Sequence, residues 1–193
     1  MTWSWFHEIG RKIIHLTIIV VLGAFVFVQD SYGKQVALLM LVALLLFFLG
    51  LEFFRLELGW KMPFFSHFIR PKEQHRMYGV IYFLAATIIS LAVFDRSIAF
   101  AALLMTTFGD MMAALIGKKY GTTLIYKNKT WAGFLAELGT NLVVGFFVLE
   151  KIYIIIGMAV VATIVETIAD EMDDNLLIPL FAGFVGQIIY FSL

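Results

Sequence analysis

Five carboxylates, Glu166, Asp170, Glu171, Asp173 and Asp174, fall within nine consecutive positions near the C-terminal end of the chain. The run lies between two apolar segments, each long enough to cross a membrane. An acidic side chain at the bilayer centre costs about 2.5–3.5 kcal/mol on insertion scales, and neighbouring carboxylates repel one another. Such a cluster needs a cation to meet it. Carboxylate oxygens are the ligands of hard divalent cations, so metal binding is the chemistry these residue types point to. Asp110 and Glu137 add single acids inside other apolar runs, and nothing basic lies within a helical turn of Asp110 or Glu166.

The surrounding elements are greasy. Of 193 residues 62% are hydrophobic, and the mean hydropathy is +0.93, the composition of a polytopic membrane protein. A spanning helix needs about 20 mostly apolar residues, and seven segments qualify: 13–28, 35–54, 77–94, 97–117, 132–149, 152–169 and 177–193. The expected fold is all-α, one membrane-embedded domain over 1–193. Trp3, Trp5 and Phe6 extend the first span towards an aromatic belt, and no small-x-small cleavage pattern marks it as a signal peptide. The 55–76 stretch interleaves its charges with Trp60, Phe64, Phe65 and Phe68, the pattern of an amphipathic loop lying in the interface. Without cysteine, disulfide frameworks and thiolate sites are excluded.

If the seven spans alternate, eleven of the fourteen basic residues fall on one face. These are Arg11, Lys12, Arg55, Lys61, Arg70, Lys72, Arg76, Lys118, Lys119, Lys127 and Lys129; Lys34, Arg96 and Lys151 fall on the other. The positive-inside rule then places the N-terminus and the acidic 170–175 loop on the cytoplasmic face. The expected location is an integral membrane protein, of the cell membrane in a prokaryote or the endoplasmic reticulum in a eukaryote.

Helical spacing sorts the polar residues of the spans into stripes. Glu8, Arg11, Lys12 and His15 share one face; Thr106, Asp110, Ala114 and Gly117 another; Thr130, Glu137 and Asn141 a third; Thr163, Glu166 and Asp170 a fourth. At the helical rise, Asp110 and Glu137 each lie roughly 12 Å below their loop lysines, and Glu166 roughly 6 Å below Asp170. Acids buried this way face a bundle interior or an aqueous cavity. A cavity with carboxylates in its wall and lysines at its rim suits Mg²⁺ and a polyphosphate. Plainer readings compete at each position. The basic pairs serve as topology signals, His15 as an interfacial histidine, Glu137 with Asn141 as an interhelical hydrogen-bond pair, and Asn175 as a helix cap. Taken singly they suffice, but they leave unexplained why every polar cluster shares a face.

Four patterns, in order along the chain, resemble the CTP-dependent lipid kinase family of dolichol or polyprenol kinase, phytol kinase and the CTP-using diacylglycerol kinase. Glu8-Ile-Gly-Arg11-Lys12-Ile-Ile-His15 is similar to the family's E-x-x-R-K-x-x-H. Gly109-Asp110-Met-Met-Ala113-Ala114-Leu-Ile-Gly117-Lys118-Lys119-Tyr-Gly121 resembles its G/S-D-x-x-A-x-x-x-G-R/K-K/R-Y/F-G. Asn128-Lys129-Thr130-Trp-Ala-Gly133 resembles N-K-S/T-x-x-G, and Glu166 with Asp173-Asp174-Asn175-Leu-Leu-Ile178-Pro179-Leu180 resembles E…D-D-N-x-x-I/V-P-L. The resemblance implies Mg²⁺-dependent transfer of the γ-phosphoryl group of CTP to the hydroxyl of a membrane lipid. It implies Asp110, Asp173 and Asp174 at the metal, with Asn175 positioning the nucleotide. Arg11, Lys12, Lys118, Lys119, Lys129 and Thr130 would meet phosphates, and Gly109, Gly117, Gly121 and Gly133 would let backbone approach them. Asp110, Glu166 and His15 stand as candidate bases. Ala114 occupies the place of a second acid in phytol-kinase-like members, which turns the substrate away from phytol and towards polyprenol, dolichol or diacylglycerol.

Two other functions compete with this expectation. A CTP:phosphatidate cytidylyltransferase shares the nucleotide, but its K-D…H-G-G…D-R signature is absent. A cation transporter would use Asp110, Glu137 and Glu166 as a relay, although no repeat or broken helix accompanies them. Expected partners are CTP, a lipid alcohol and the surrounding lipid, with no nucleic acid; the oligomeric state is open, a homodimer included.

Overall fold

Asp95 opens the helix around which the C-terminal half is built: its carboxylate accepts hydrogen bonds from the Ser97 backbone N–H at 3.0 Å and the Ser97 hydroxyl at 2.7 Å. That cap satisfies donors the first turn leaves open. The computed structural model describes the backbone of residues 5–59, 77–169 and 172–193, with side chains from residue 17 onward. The helices are α1 (Trp5–Tyr32), α2 (Lys34–Glu57), α3 (Gly79–Val93), α4 (Arg96–Tyr120), α5 (Trp131–Val148), α6 (Ile152–Ile168) and α7 (Asp174–Ser192). Every expected span coincides with one of them. By length and composition α2, α4, α5 and α7 are able to cross a membrane, whereas α3, α6 and the part of α1 from Thr17 are shorter apolar helices. Among the described residues the all-α expectation meets one exception, a two-stranded antiparallel ribbon, β1 (Leu124–Tyr126) and β2 (Lys129–Thr130), between α4 and α5. Its turn places Lys127 at φ 45°.

The chain divides into two compact units, Met1–Ala85 and Ala86–Leu193. In the first, α1 packs on α2. Glu52, only 3% exposed, accepts from Arg55 Nη2 at 2.6 Å and Nε at 2.8 Å. It also accepts from the Tyr78 backbone N–H at 3.0 Å, and the Arg55 guanidinium lies 4.1 Å over the Tyr78 ring. Arg55, a topology charge by sequence, is thus half of a buried ion pair that ties the end of α2 to the residue before α3. Glu52→Gln removes the charge from these bonds and is expected to cost about 2 kcal/mol. A lowered melting temperature in detergent would show it; an unchanged one would mean that water replaces the contact.

In the second unit α4 is central and packs against α5, α6 and α7, while α6 packs on both α5 and α7. Its inward face is small and apolar, with Ile98, Ala99, Ala101, Ala102, Leu103 and Met105 fully or almost fully buried. Glycine permits the tightest crossings. A Cβ on Gly186 of α7 would stand 2.5 Å from Met158 Sδ of α6 and 3.1 Å from Ile98 of α4. Without water in the bilayer to drive helices together, such close packing is a main source of association. The loop charges Lys61, Arg70, Lys72 and Arg76 of the expected interfacial segment, and Asp170 and Glu171, lie outside the described residues.

Candidate active site

Three helices of the second unit bring their acids together. One carboxylate oxygen each from Asp110 (α4), Glu166 (α6) and Asp174 (α7) lie within 4.8 Å of one another. Asp110 lies ten residues before the end of α4, Glu166 two residues before the end of α6, and Asp174 at the first position of α7. Glu166 is 2% exposed. Lys129, on β2, reaches across to form an ion pair with its Oε1. Nothing basic is near Glu166 in sequence; folding supplies the partner from 37 residues away. Burial alone would lower the Lys129 pKa, but Glu166, Asp174 and Asp110 together outweigh it and hold the ammonium above the ordinary lysine value.

Glu166 Oε2 is buried and has no hydrogen-bond partner. A carboxylate oxygen in that state is an acceptor awaiting a cation or proton. Three hard oxygen donors at this separation, one of them from a carboxylate with an unmet buried oxygen, fit a divalent cation such as Mg²⁺. The set differs from the sequence expectation in one member. Asp173 is the N-cap of α7, where its Oδ1 accepts from the Asn175 backbone N–H at 3.0 Å and from Asn175 Nδ2 at 2.7 Å. Asp173 thus caps the helix where Asn175 was one candidate, and Glu166 joins Asp110 and Asp174 in the acidic group. Asn175 is buried and bonded to both aspartates, since Asp174 Oδ1 also accepts from it at 3.0 and 3.2 Å.

Beneath the acids lies a second polar layer. Glu137, 2% exposed, is within electrostatic reach of Glu166, Asp110 and Lys129. Asn141, one turn further along α5, donates through Nδ2 to Thr163 Oγ1 at 3.1 Å, which donates in turn to the Ala159 carbonyl at 2.9 Å. Asn141 therefore ties α5 to α6, the interhelical role that its stripe allowed, while its Oδ1 lies against Gly109.

The glycines and Thr130 turn out to be packed against protein. A Cβ on Gly117 would meet Thr130 Oγ1 at 3.1 Å and Gly133 Cα at 3.4 Å; one on Gly133 would meet the Ala113 carbonyl at 3.0 Å. One on Gly109 would lie 2.5 Å from Asn141 Oδ1. Thr130 is the N-cap of α5, accepting from the Gly133 N–H at 3.2 Å, and a Cβ on Gly121 would collide with it. These residues set the α4–α5 crossing that aims Lys129 at Glu166. Gly133→Ala forces a backbone carbonyl aside and is expected to cost about 1–3 kcal/mol, read as a fall in melting temperature; unchanged stability would mean the crossing relaxes freely.

Lys118 and Lys119 lie exposed in the last turn of α4, where the helix dipole favours cations, and Lys119 stands 5.0 Å over the Tyr120 ring. Ala114 lies half-buried on α4. Arg11, Lys12 and His15 lie on the α1 backbone, but their side chains are outside the described residues.

No family model matches the chain, and no solved structure matches it. Curated proteins do. The CTP-dependent diacylglycerol kinase 1 of Saccharomyces cerevisiae is 29% identical over 163 residues, 77% of this chain and 54% of that protein. The CTP-dependent diacylglycerol kinase 1 of Schizosaccharomyces pombe is 31% identical over 143 residues, 69% of this chain and 63% of that protein. Phytol kinase 1, chloroplastic, of Arabidopsis thaliana is 29% identical over 133 residues, covering 56% of this chain and 42% of its own length. The chain thus spans little more than half the length of the first of these relatives.

Proposed function

The chain belongs to the CTP-dependent lipid kinase family, and from that premise we propose that it transfers the γ-phosphoryl group of CTP to the hydroxyl of a membrane lipid, with diacylglycerol the first substrate to test. The observation that carries this is the convergence of Asp110, Glu166 and Asp174 from three helices, with Lys129 beside them. Diacylglycerol ranks ahead of phytol because the diacylglycerol kinases match larger shares of this chain than the phytol kinase does.

In phosphoryl transfer little covalent work falls to the protein; positioning and charge neutralisation dominate. Asp110, Glu166 and Asp174 would hold Mg²⁺, which would supply neutralisation of the phosphate charge when bound. Lys129 meets phosphate oxygens from the hairpin side, and Lys118 and Lys119 draw the polyanion in from the end of α4. Asp110, only half-buried, accepts the proton of the lipid hydroxyl; Glu166, almost sealed and paired with Lys129, is worse placed to release one. With Glu166 near the end of α6 and Asp174 at the start of α7, the site lies at the ends of apolar helices, so a lipid hydroxyl would reach it while its tails stay in hydrocarbon. On the positive-inside count that mouth faces the cytoplasm.

The test is incubation of the purified protein with Mg²⁺, CTP labelled on its γ-phosphate, and vesicles carrying diacylglycerol, polyprenol or phytol. Label in phosphatidate with release of CDP is the expected result, with little from ATP. CDP-lipid and pyrophosphate would identify a cytidylyltransferase instead, and no turnover of CTP with any lipid would sink the kinase reading.

A further inference from the structure

Glu166 has two oxygens in two different states. Oε1 is held by Lys129, Oε2 is buried without a hydrogen-bond partner, and the carboxylate places an oxygen within 4.8 Å of oxygens of Asp110 and Asp174. At 2% exposure the carboxylate cannot turn to water for a counter-charge, and an ionised buried acid persists only beside a cation. The Lys129 side chain is different, at 38% exposure. Its backbone is pinned by the ribbon and by the neighbouring Thr130 cap, so its four-carbon stem is the part free to swing. Three acids and one ammonium leave a surplus of negative charge that a divalent cation would fill. Two cations cannot share one carboxylate at close range without repelling each other.

We propose that Lys129 is the resident cation of this site, holding Glu166 until a divalent cation takes that carboxylate, whereupon the ammonium turns to the phosphates of the incoming nucleotide. The exchange means that the empty site is closed by an internal ion pair and that metal loading is what exposes the phosphate-binding lysine. Lys129 thereby acts as a positioning residue that orders the binding of metal before nucleotide. The turn towards phosphate rests on the kinase reading above; the exchange at Glu166 does not, and it is measurable with metal alone.

The experiment measures Mn²⁺ binding to the purified full chain in lipid nanodiscs by electron paramagnetic resonance, without nucleotide or substrate lipid. Lys129→Gln removes the competitor and is expected to bind Mn²⁺ about tenfold more tightly than the unmodified chain, the scale of a typical coupling between sites. Lys119→Gln removes a cation of equal charge that does not pair with Glu166, and is expected to change affinity less than about twofold. Lys129→Arg, which keeps the charge and the pair, should bind no more tightly than the unmodified chain. In parallel, labelling of Lys129 by an amine reagent, read by mass spectrometry, should rise on adding Mn²⁺ in the unmodified chain. In Glu166→Gln it should be high and indifferent to Mn²⁺. If Mn²⁺ binds the unmodified chain and Lys129→Gln binds it no more tightly, the exchange is wrong while the metal site stands. If Mn²⁺ binds neither protein, the metal assignment itself falls and the exchange with it.

Discussion

Asp110→Asn is expected to lower phosphoryl transfer by at least about 10³-fold, the scale on which single charge-stabilising groups act in such sites, with the helical fold intact. Asn is isosteric and keeps one oxygen, so the helix α4 loses no packing volume. It loses the charge that, with Glu166 and Asp174, makes the three-oxygen group a cation site. Asp174→Asn should behave alike, because Asp174 belongs to the same group. Asp173→Asn is the informative contrast. Asp173 spends its Oδ1 on the Asn175 N–H and amide as the cap of α7, and asparagine caps helices about as well as aspartate. Its activity should stay within about tenfold of the unmodified chain on that account. Initial rates with γ-labelled CTP, alongside helix content and elution volume, separate these outcomes. A crippled Asp173→Asn with an active Asp174→Asn would reverse the assignment of the metal ligands.

Removing Lys129 by Lys129→Met is expected to destabilise the metal-free protein by about 3 kcal/mol, because breaking a buried pair from one side leaves an uncompensated charge. The charge left behind is Glu166, with its second oxygen already unmet. Removing both partners, Lys129→Met with Glu166→Leu, should recover most of that loss, since an apolar pair of similar volume needs no counter-charge. Turnover should stay near zero in both proteins. Melting temperatures of the two single variants and the double variant form the cycle that measures the coupling. If the two single effects simply add up to that of the double variant, the ion pair contributes nothing and Lys129 is only a surface lysine.

The broad architecture was legible from composition and periodicity. Each of the seven apolar segments became a helix, because a run of about 20 apolar residues has few ways to satisfy its backbone other than by coiling on itself. Asp110 and Glu166 stood out for the same reason: an acid inside such a run is costly wherever it ends up, so its presence alone flags a site. Less legible was the ribbon between α4 and α5. Leu124–Tyr126 and Lys129–Thr130 are too short for a period-two pattern to register, and they pair only because the α4–α5 crossing brings their ends together. The Glu52–Arg55 pair also escaped notice, since a basic residue at a helix end reads as a topology signal until its partner is seen.

The assignment of roles within the motifs is where folding decided. Sequence alone determined that these residue types lie in or at the ends of apolar helices, because hydrophobicity acts locally and can be counted. It could not rank Asp173 against Asp174, which are neighbours in the chain; both accept from Asn175 at the helix start, and of the two it is Asp174 that also groups with Asp110 and Glu166. Nor could it join Lys129 to Glu166, or show that Gly117 and Gly133 face each other. Those are distances across helices, set by which small residues let α4 and α5 approach. They follow from side-chain packing over the whole unit, which no local spacing contains.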